Sequence, residues 1–285
     1  MSQVKNRAIQ GDSKEFLKVF NELCRYRHAW EVRADVITVM ACSMANVFDK
    51  EPRRHEKREK EYEQCIKRLG GVDKTSQLFA ITVEALERNP DQDFLGALYM
   101  NLELGSHWHG QFFTPYHVSR CMAEITILNA KQEIDRHGWI SVCDPCIGGG
   151  AMLIAAANTI LRQKVNYQNH VLFVGQDIDR IVGMMAYIQL SLLGCPGYVV
   201  IGNSLTNPIV GSALQPFEKE GQEFWYTPLY FSDVWQYRRI FAAMDQILRS
   251  EPSAPPSPIL PARGGFLFEF RERGRTECGL NFQQE

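Results

Sequence analysis

The spacing of apolar residues predicts that the chain opens with a helical region. Phe16, Phe20 and Leu23 recur at helical intervals, and three more amphipathic patterns follow before residue 105. From 52 to 67 the charges alternate in sign, which on a helix favours a solvated face of paired neighbours over a nucleic-acid patch. We therefore predict an all-helical region over residues 1–108.

After this region, short apolar runs alternate with helical patterns. Apolar runs of strand length stand at 139–143, 171–175 and 198–201. Helical patterns at 151–163 and 180–193 separate them. Strands and helices in this order predict parallel βαβ units of a doubly wound α/β sheet, to which we assign residues 109–248.

Three consecutive glycines, 148–150, connect the first predicted strand to its helix. Gly148 and Gly150 would let a ligand approach the backbone, and the free N–H groups of the helix start face the same place. Asp144 ends the strand, where it would repel the pyrophosphate of a dinucleotide, whereas S-adenosylmethionine (SAM) carries cationic sulfonium and ammonium groups. The loop therefore favours SAM over NAD or ATP, with a glycine-rich turn that binds no ligand as the alternative.

Polar residues also follow the next two strands. Asp177 ends the second, where a carboxylate can accept hydrogen bonds from a ribose diol. Asn203 follows the third, where its side-chain amide could pair with an adenine edge. Thr114 before Pro115 predicts a helix start, with the threonine as N-cap, that faces Phe113 and would stabilise a carboxylate. A capped helix beside core phenylalanines explains these last residues equally well.

Composition sets bounds on the class of protein. The 285 residues, 45% of them hydrophobic, suffice for one large or two modest domains. No apolar run approaches the roughly 20 residues that span a bilayer, and the first residues lack a signal core, so we expect a cytoplasmic protein without membrane contact. The net charge of −2 argues against a broadly basic nucleic-acid surface. The eight cysteines lack the spacing of a disulfide framework, and Cys143-x-x-Cys146 lacks the second ligand pair of a zinc site, so we predict reduced thiols and no metal.

Four short motifs occur in a defined order along the chain. They are Gly-Gln-Phe-Phe-Thr-Pro at 110–115, Asp-Pro-x-x-Gly-x-Gly at 144–150, Gly-Gln-Asp-Ile-Asp at 175–179 and Gly-Asn-Ser-Leu at 202–205. With them, residues 75 to 210 resemble the adenine-N6 DNA methyltransferase subunits of type I restriction-modification systems and the shorter N-6 DNA methylases of bacterial mobile elements. The resemblance implies a Rossmann-like class I SAM-dependent methyltransferase fold and methyl transfer to a flipped adenine of DNA. It implies a SAM site formed by Phe113, Thr114, Asp144, Gly148, Gly150 and Asp177, with Asn203 where the family usually has aspartate.

The chain departs from that family at the catalytic motif. Family members carry Asn-Pro-Pro-Phe/Tyr after the fourth strand, where the asparagine and a proline carbonyl hold the adenine amino group and the ring stacks on the base. This chain lacks the tetrapeptide. The Asn-Pro at 207–208 lies too close to the third strand, whereas Thr-Pro-Leu-Tyr at 227–230 has a plausible spacing. Thr227, Pro228 and Tyr230 are therefore the catalytic candidates, although a threonine hydroxyl has a shorter reach than an asparagine amide.

The end of the chain raises the question of completeness. A helix is predicted at 232–248, a Pro/Ser-rich linker at 252–261 and one strand at 264–270, so residues 249–285 are assigned to a linker and tail. Because the pattern makes only three strands clear, either the fold is truncated or a partner completes it. No segment is typical of target recognition, so a separate specificity subunit is the expected partner besides DNA.

Two functions therefore remain open. The first is an adenine-N6 DNA methyltransferase, or its SAM-binding part. The second is a non-catalytic SAM-binding or scaffold protein of a mobile element that has lost the catalytic motif.

Overall fold

The computed structural model describes residues 11–103, 113–249 and 268–269. The helices before the sheet are α1 (Gly11–Leu23), α2 (Ala29–Phe48), α3 (Pro52–Leu69), α4 (Asp73–Arg88), α5 (Phe94–Glu103), α6 (Tyr116–Thr126) and α7 (Ala130–His137). The following elements are β1 (Ile140–Asp144), α8 (Ala151–Arg162), α9 (Tyr167–His170), β2 (Val171–Asp177), α10 (Arg180–Leu192), β3 (Gly197–Ile201), β4 (Val210–Ser212), β5 (Gln215–Phe217), β6 (Glu223–Tyr226), α11 (Asp233–Arg249) and β7 (Phe268–Glu269). The predicted boundary at 108, motif residues 110–112 and most of the tail from 249 to 285 lie outside the described residues.

Local signals account for the ends of the charged helix α3. The Glu51 carboxylate accepts hydrogen bonds from two backbone amides of the first turn, Pro52 occupies the first turn, and Gly70 ends the helix with a φ of 78°. The alternating charges predicted a solvated face for this segment. That prediction is wrong for Arg58, which is 2% exposed and lies against the edge of the sheet.

The main sheet has five strands in the order β6-β3-β2-β1-β7. The inner strands β1, β2 and β3 are parallel, as predicted, and β6 and β7 pair antiparallel to β3 and β1. The register sets Asp144 opposite Gly175 and Asp177 opposite Ile201. The carboxyl ends of the three parallel strands therefore meet at one edge of the sheet.

The side chains of the strands alternate between two apolar layers. Phe173, Val199 and Trp225 point into the layer that contains α8, α10 and α2. Leu172 and Tyr198 point into the opposite layer, where Trp235 of α11 and the segment after β3 cover the sheet. Because β1 to β3 are buried on both faces, they appear in the sequence as continuous apolar runs.

The helical region closes the β3 side of the sheet through a buried cation. The Arg58 guanidinium pairs with Asp49 at 2.8 Å, donates to the carbonyl of Phe224 on β6 at 2.9 Å and lies 4.7 Å from the Trp225 ring centroid. Arg180 of α10 pairs with Glu223 of β6 as well. The outer strand β6 is thus held by groups from α3 and α10.

The sequence pattern did not predict β4, β5 and β6. Each has only three or four residues, too few to show a period. The strand predicted at 264–270 is described only at residues 268–269, as β7. Among the described helices, none is both long enough and apolar enough to cross a membrane.

Candidate cofactor site

The site is built where β1 and β2 end and their connecting loops meet. Asp144 is the last residue of β1, and β2 continues past it to Asp177. The loop 145–150 turns from β1 into α8, and the amide of Ile147 in this loop donates to the Gln176 carbonyl at 3.0 Å. The loop is therefore fixed to β2 beside the two carboxylates.

The glycines of this loop are required by its conformation. Gly148 and Gly150 have φ values of 56° and 98°, in the left-handed region that favours glycine. A Cβ on Gly150 would lie 3.3 Å from the Cα of Ala186 in α10, so the loop can pack on that helix only without a side chain. A Cβ on Gly148 would lie 3.6 Å from the ring of Phe113. The structure thus brings Phe113 next to the glycine loop.

Asp177 connects the loop to β2. Its carboxylate accepts hydrogen bonds from the amide of Gly148 at 2.9 Å and from the amide of Asp179 at 2.9 Å. Asp179 in turn caps α10, which confirms the predicted helix start. Both oxygens of Asp177 are held in place, and the half-buried carboxylate keeps lone pairs that a hydroxyl-bearing ligand can use.

The two carboxylates of the site resist ionisation. The pKa of Asp144 is raised to about 6, mainly by burial and to a smaller extent by the charge of Asp177, against the opposing effect of the hydrogen bond from the Cys146 amide. Burial also raises the pKa of Asp177, against the hydrogen bonds from Asp179 and Gly148. Two clustered carboxyl groups of this kind favour a cationic ligand, since a positive charge restores the ionised form.

Ile178 was not identified from the sequence. It directly follows Asp177 and is 67% exposed, an unusual position for a large apolar side chain beside a polar strand end. An exposed isoleucine here offers an apolar surface next to the carboxylate. The available signal was its place directly after Asp177, which the sequence analysis assigned to the ribose.

The other predicted cofactor residues differ in how the structure places them. The Asn203 side-chain oxygen accepts hydrogen bonds from the amides of Leu205 and Thr206 at 2.9 and 3.1 Å, so it shapes the loop after β3. Any contact with a base edge would have to come from its Nδ2 group. Thr114 is exposed next to Phe113, but its predicted N-cap role is wrong: α6 begins at Tyr116 with Pro115 at the N-cap position. The helix starts one residue later than the Thr-Pro pattern predicted.

The catalytic candidates lie at the opposite end of the sheet. Because β6 is antiparallel to β3, Thr227 follows Tyr226 at the amino end of β3, four strand residues or about 13 Å from the level of Asp177. The Thr227 hydroxyl donates to the Cys195 carbonyl at 2.7 Å and accepts from the Gly197 amide at 2.9 Å. These bonds assign it a structural role.

Pro228 and Tyr230 follow Thr227 at the same end of the sheet. They belong to a short 3₁₀ turn, in which the buried Tyr230 hydroxyl lies 3.2 Å from the Leu214 carbonyl. The spacing argument placed residues 227–230 after a fourth strand, but the strand that precedes them, β6, runs antiparallel to β3 and therefore ends away from the glycine loop. We therefore do not retain Thr227, Pro228 and Tyr230 as catalytic residues.

The fold and the site together define a class of protein. Parallel strands in the order β3-β2-β1, a glycine loop after β1 and an acidic residue ending β2 form the Rossmann-like fold of the class I SAM-dependent methyltransferases, here with a helical N-terminal region. The model of the N-6 DNA methylase family matches residues 93–248, more than half of the chain. The chain therefore belongs to the N-6 DNA methylase family, and the family resemblance inferred from its sequence is confirmed.

Two solved structures are similar to the chain at low identity. One is the methyltransferase subunit of a type I restriction-modification system from Streptococcus thermophilus, with 15% identity and a TM-score of 0.36, over 70% of this chain and 59% of that one. The other is a putative class I S-adenosylmethionine-dependent methyltransferase from Listeria monocytogenes, with 15% identity and a TM-score of 0.42, over 84% and 79% of the two chains. The chain thus spans about three fifths of the Streptococcus subunit's length.

Proposed function

We propose that the chain binds SAM at the carboxyl ends of β1 and β2 and acts as the SAM-binding part of an adenine-N6 DNA methyltransferase. The observation that carries this proposal is the hydrogen bond between the Gly148 amide and the Asp177 carboxylate, at 2.9 Å. It joins the glycine part of the loop, which has no side chains, to an acidic strand end. A nucleoside ligand needs both features in one place.

The residues present fit SAM in shape and charge. Asp177 would accept hydrogen bonds from the ribose diol, and the exposed Ile178 would cover an adenine face. The backbone of Gly148 and Gly150 would allow the rest of the ligand to approach closely. Asp144, buried behind the loop, would favour the positive charges through its own negative charge. When bound, SAM supplies an electrophilic methyl group on its sulfonium.

The proposed substrate and partner rest on the family. The matched family is described as an N-6 DNA methylase, and the Streptococcus protein as a type I methyltransferase subunit. We therefore infer DNA adenine as the methyl acceptor, a separate specificity subunit as partner and the cytoplasm as the place of action. Within residues 11–103 and 113–249 we assign no side chain to the acceptor amino group, so this part of the site is left to other residues or to the partner.

A second function is favoured by one observation. The segment that sequence reasoning selected for catalysis stands at the amino end of β3, with its threonine hydroxyl bound to backbone. This placement favours a non-catalytic SAM-binding or scaffold protein. The two functions share the SAM site and differ in methyl transfer.

Two measurements test the proposal in sequence. Calorimetric titration with SAM, S-adenosylhomocysteine, NAD and ATP should give binding of the first two only. Asp177→Asn should weaken SAM binding about tenfold or more, since it removes a charged acceptor, while the exposed Asp135→Asn on α7 serves as a matched control and should not. Absence of SAM binding by the wild-type chain would overturn both functions.

Methyl transfer then separates the two functions. Incubation with methyl-labelled SAM and DNA, alone and with the products of neighbouring genes, should label adenine in at least one combination. SAM binding without labelling in any combination would favour the non-catalytic function.

A further inference from the structure

A buried hydrogen-bond network connects the helical region to the glycine loop. Asp93, the residue before α5, is 6% exposed, and its Oδ1 accepts from the Gly96 amide at 2.8 Å. The same oxygen accepts from Nε2 of Gln189 at 2.7 Å. Asp93 therefore caps α5 and binds α10 with one atom.

Gln189 extends this network to the loop. It is fully buried on α10, and its Nε2 also donates to the Gly149 carbonyl at 2.8 Å. Its Oε1 accepts from the Leu95 amide at 3.0 Å. The amide group thus connects α5, α10 and the glycine loop, and each of its polar atoms has a partner.

The backbones meet here without side chains between them. A Cβ on Gly149 would lie 3.4 Å from the Cα of Gly96 and 3.4 Å from both carboxylate oxygens of Asp93. A Cβ on Gly96 would overlap the Asp93 carboxylate. The start of α5 therefore forms the back wall of the glycine loop.

We propose that Asp93 and Gln189 are positioning residues for the SAM site, which hold the Gly149 carbonyl and thereby present the Gly148 amide to Asp177. This inference rests on the proposed function, because it concerns the same site. Three consecutive glycines have the greatest backbone freedom to lose, so an external anchor on the central glycine sets the loop geometry. The role is carried by hydrogen bonds and not by the Asp93 charge, since a single oxygen makes both contacts. Burial raises the pKa of Asp93, in keeping with a position at which a neutral side chain serves.

Two pairs of variants test the anchor. Asp93→Asn keeps an Oδ1 acceptor and should bind SAM within about twofold of wild type. Asp93→Ser still caps α5 but is too short to reach Gln189, and should weaken binding several-fold. Gln189→Met conserves volume and loses the amide, so SAM binding should fall about tenfold. Asn158→Ala is the matched control. It removes the hydrogen bond from Nδ2 of Asn158, on α8, to the Pro90 carbonyl at 3.0 Å, and this bond does not involve the glycine loop.

Amide hydrogen exchange without ligand provides the second readout. Exchange of the Gly148 amide should accelerate about tenfold in Gln189→Met and remain unchanged in Asp93→Asn and Asn158→Ala, whereas a purely structural role would accelerate exchange throughout α10 equally. Unchanged Gly148 exchange in both Gln189→Met and Asp93→Ser would overturn the inference, as would wild-type SAM affinity in both. If the wild-type chain does not bind SAM, the proposed function falls, while the exchange experiment still decides whether the anchor exists.

Discussion

Replacing Asp144 by asparagine is expected to stabilise the folded protein at neutral pH and to weaken its binding of a cationic ligand. The carboxyl group is 6% exposed and accepts a hydrogen bond from the Cys146 amide at 3.0 Å. Asparagine has nearly the same shape and retains an Oδ1 for that bond. The substitution therefore removes the buried charge and little else.

The sign follows from the direction of the pKa shift. Asp144 has a pKa of about 6 in the folded protein and 3.8 in its unperturbed state, so the folded state holds its proton more tightly. Protonation of Asp144 therefore stabilises the folded state at low pH, and this stabilisation is lost as the pH rises through 6. At about 1.4 kcal/mol per pKa unit, ionised Asp144 costs about 3 kcal/mol of unfolding free energy at pH 8.

Urea unfolding at pH 5 and pH 8 measures this effect. Asp144→Asn should be more stable than wild type at pH 8 by up to about 3 kcal/mol, and the difference should shrink by roughly 1.5 kcal/mol at pH 5, where the wild-type group is mostly protonated. The exposed Asp135→Asn is the control and should give no pH-dependent difference. A difference for Asp144→Asn that is equal at the two pH values, or a less stable variant at pH 8, would refute the raised pKa of Asp144.

Ligand binding supplies a second check on the same group. Saturating SAM should raise the stability of wild type more than that of Asp144→Asn, so the difference at pH 8 should narrow. Asp177→Asn should move the wild-type pH dependence to lower pH, because the charge of Asp177 contributes to the raised pKa of Asp144. If neither change is seen, the two carboxylates act independently of each other and of the ligand.

Three further substitutions separate the site from the scaffold. Gly150→Ala, at a φ of 98° and with Ala186 3.3 Å from the added Cβ, should cost roughly 1–3 kcal/mol in urea unfolding and also weaken SAM binding. Arg58→Met removes the more deeply buried of the two arginines that pair with Asp49 and leaves Arg54 in place. It should lower the unfolding free energy by about 1–3 kcal/mol with SAM affinity unchanged, as measured by denaturation and calorimetry. Thr227→Val removes two hydrogen bonds to backbone and should cost about 1–3 kcal/mol, while any methyl transfer activity persists. Loss of activity at wild-type stability would restore its catalytic role.

The sequence was sufficient where the signals are local. The three parallel strands are continuous apolar runs because both faces of the sheet are covered, and Asp179 caps α10 two residues after the strand end. The glycines and Asp177 follow from the same short segments. The order β1-β2-β3 could be inferred from the connection rule for βαβ units, since helices connect β1 to β2 and β2 to β3.

The sequence was insufficient where the contact is distant. The prediction for Thr227 depended on which strand precedes it, and no local pattern distinguishes a strand beside β1 from one beside β3. Asp93 and Gln189 meet across 96 residues, and a buried glutamine in an apolar helix has no period or spacing that announces its partner. Arg58 was assigned to solvent because its neighbours in the sequence are charged, whereas its environment is set by β6.

The two antiparallel strands decide which side of the sheet can complete the site. On the β3 side, β6 is covered by Arg58 and Arg180, so additional structure there would have to displace one buried and one partly buried ion pair. On the β1 side, the described residues of β7 pair with Ser141 and Val142. Because Asp144 ends β1 beside the glycine loop, groups added along the β1 edge, from the tail or from a partner subunit, would lie next to the cofactor site. Groups that hold the acceptor amine should be sought at that edge.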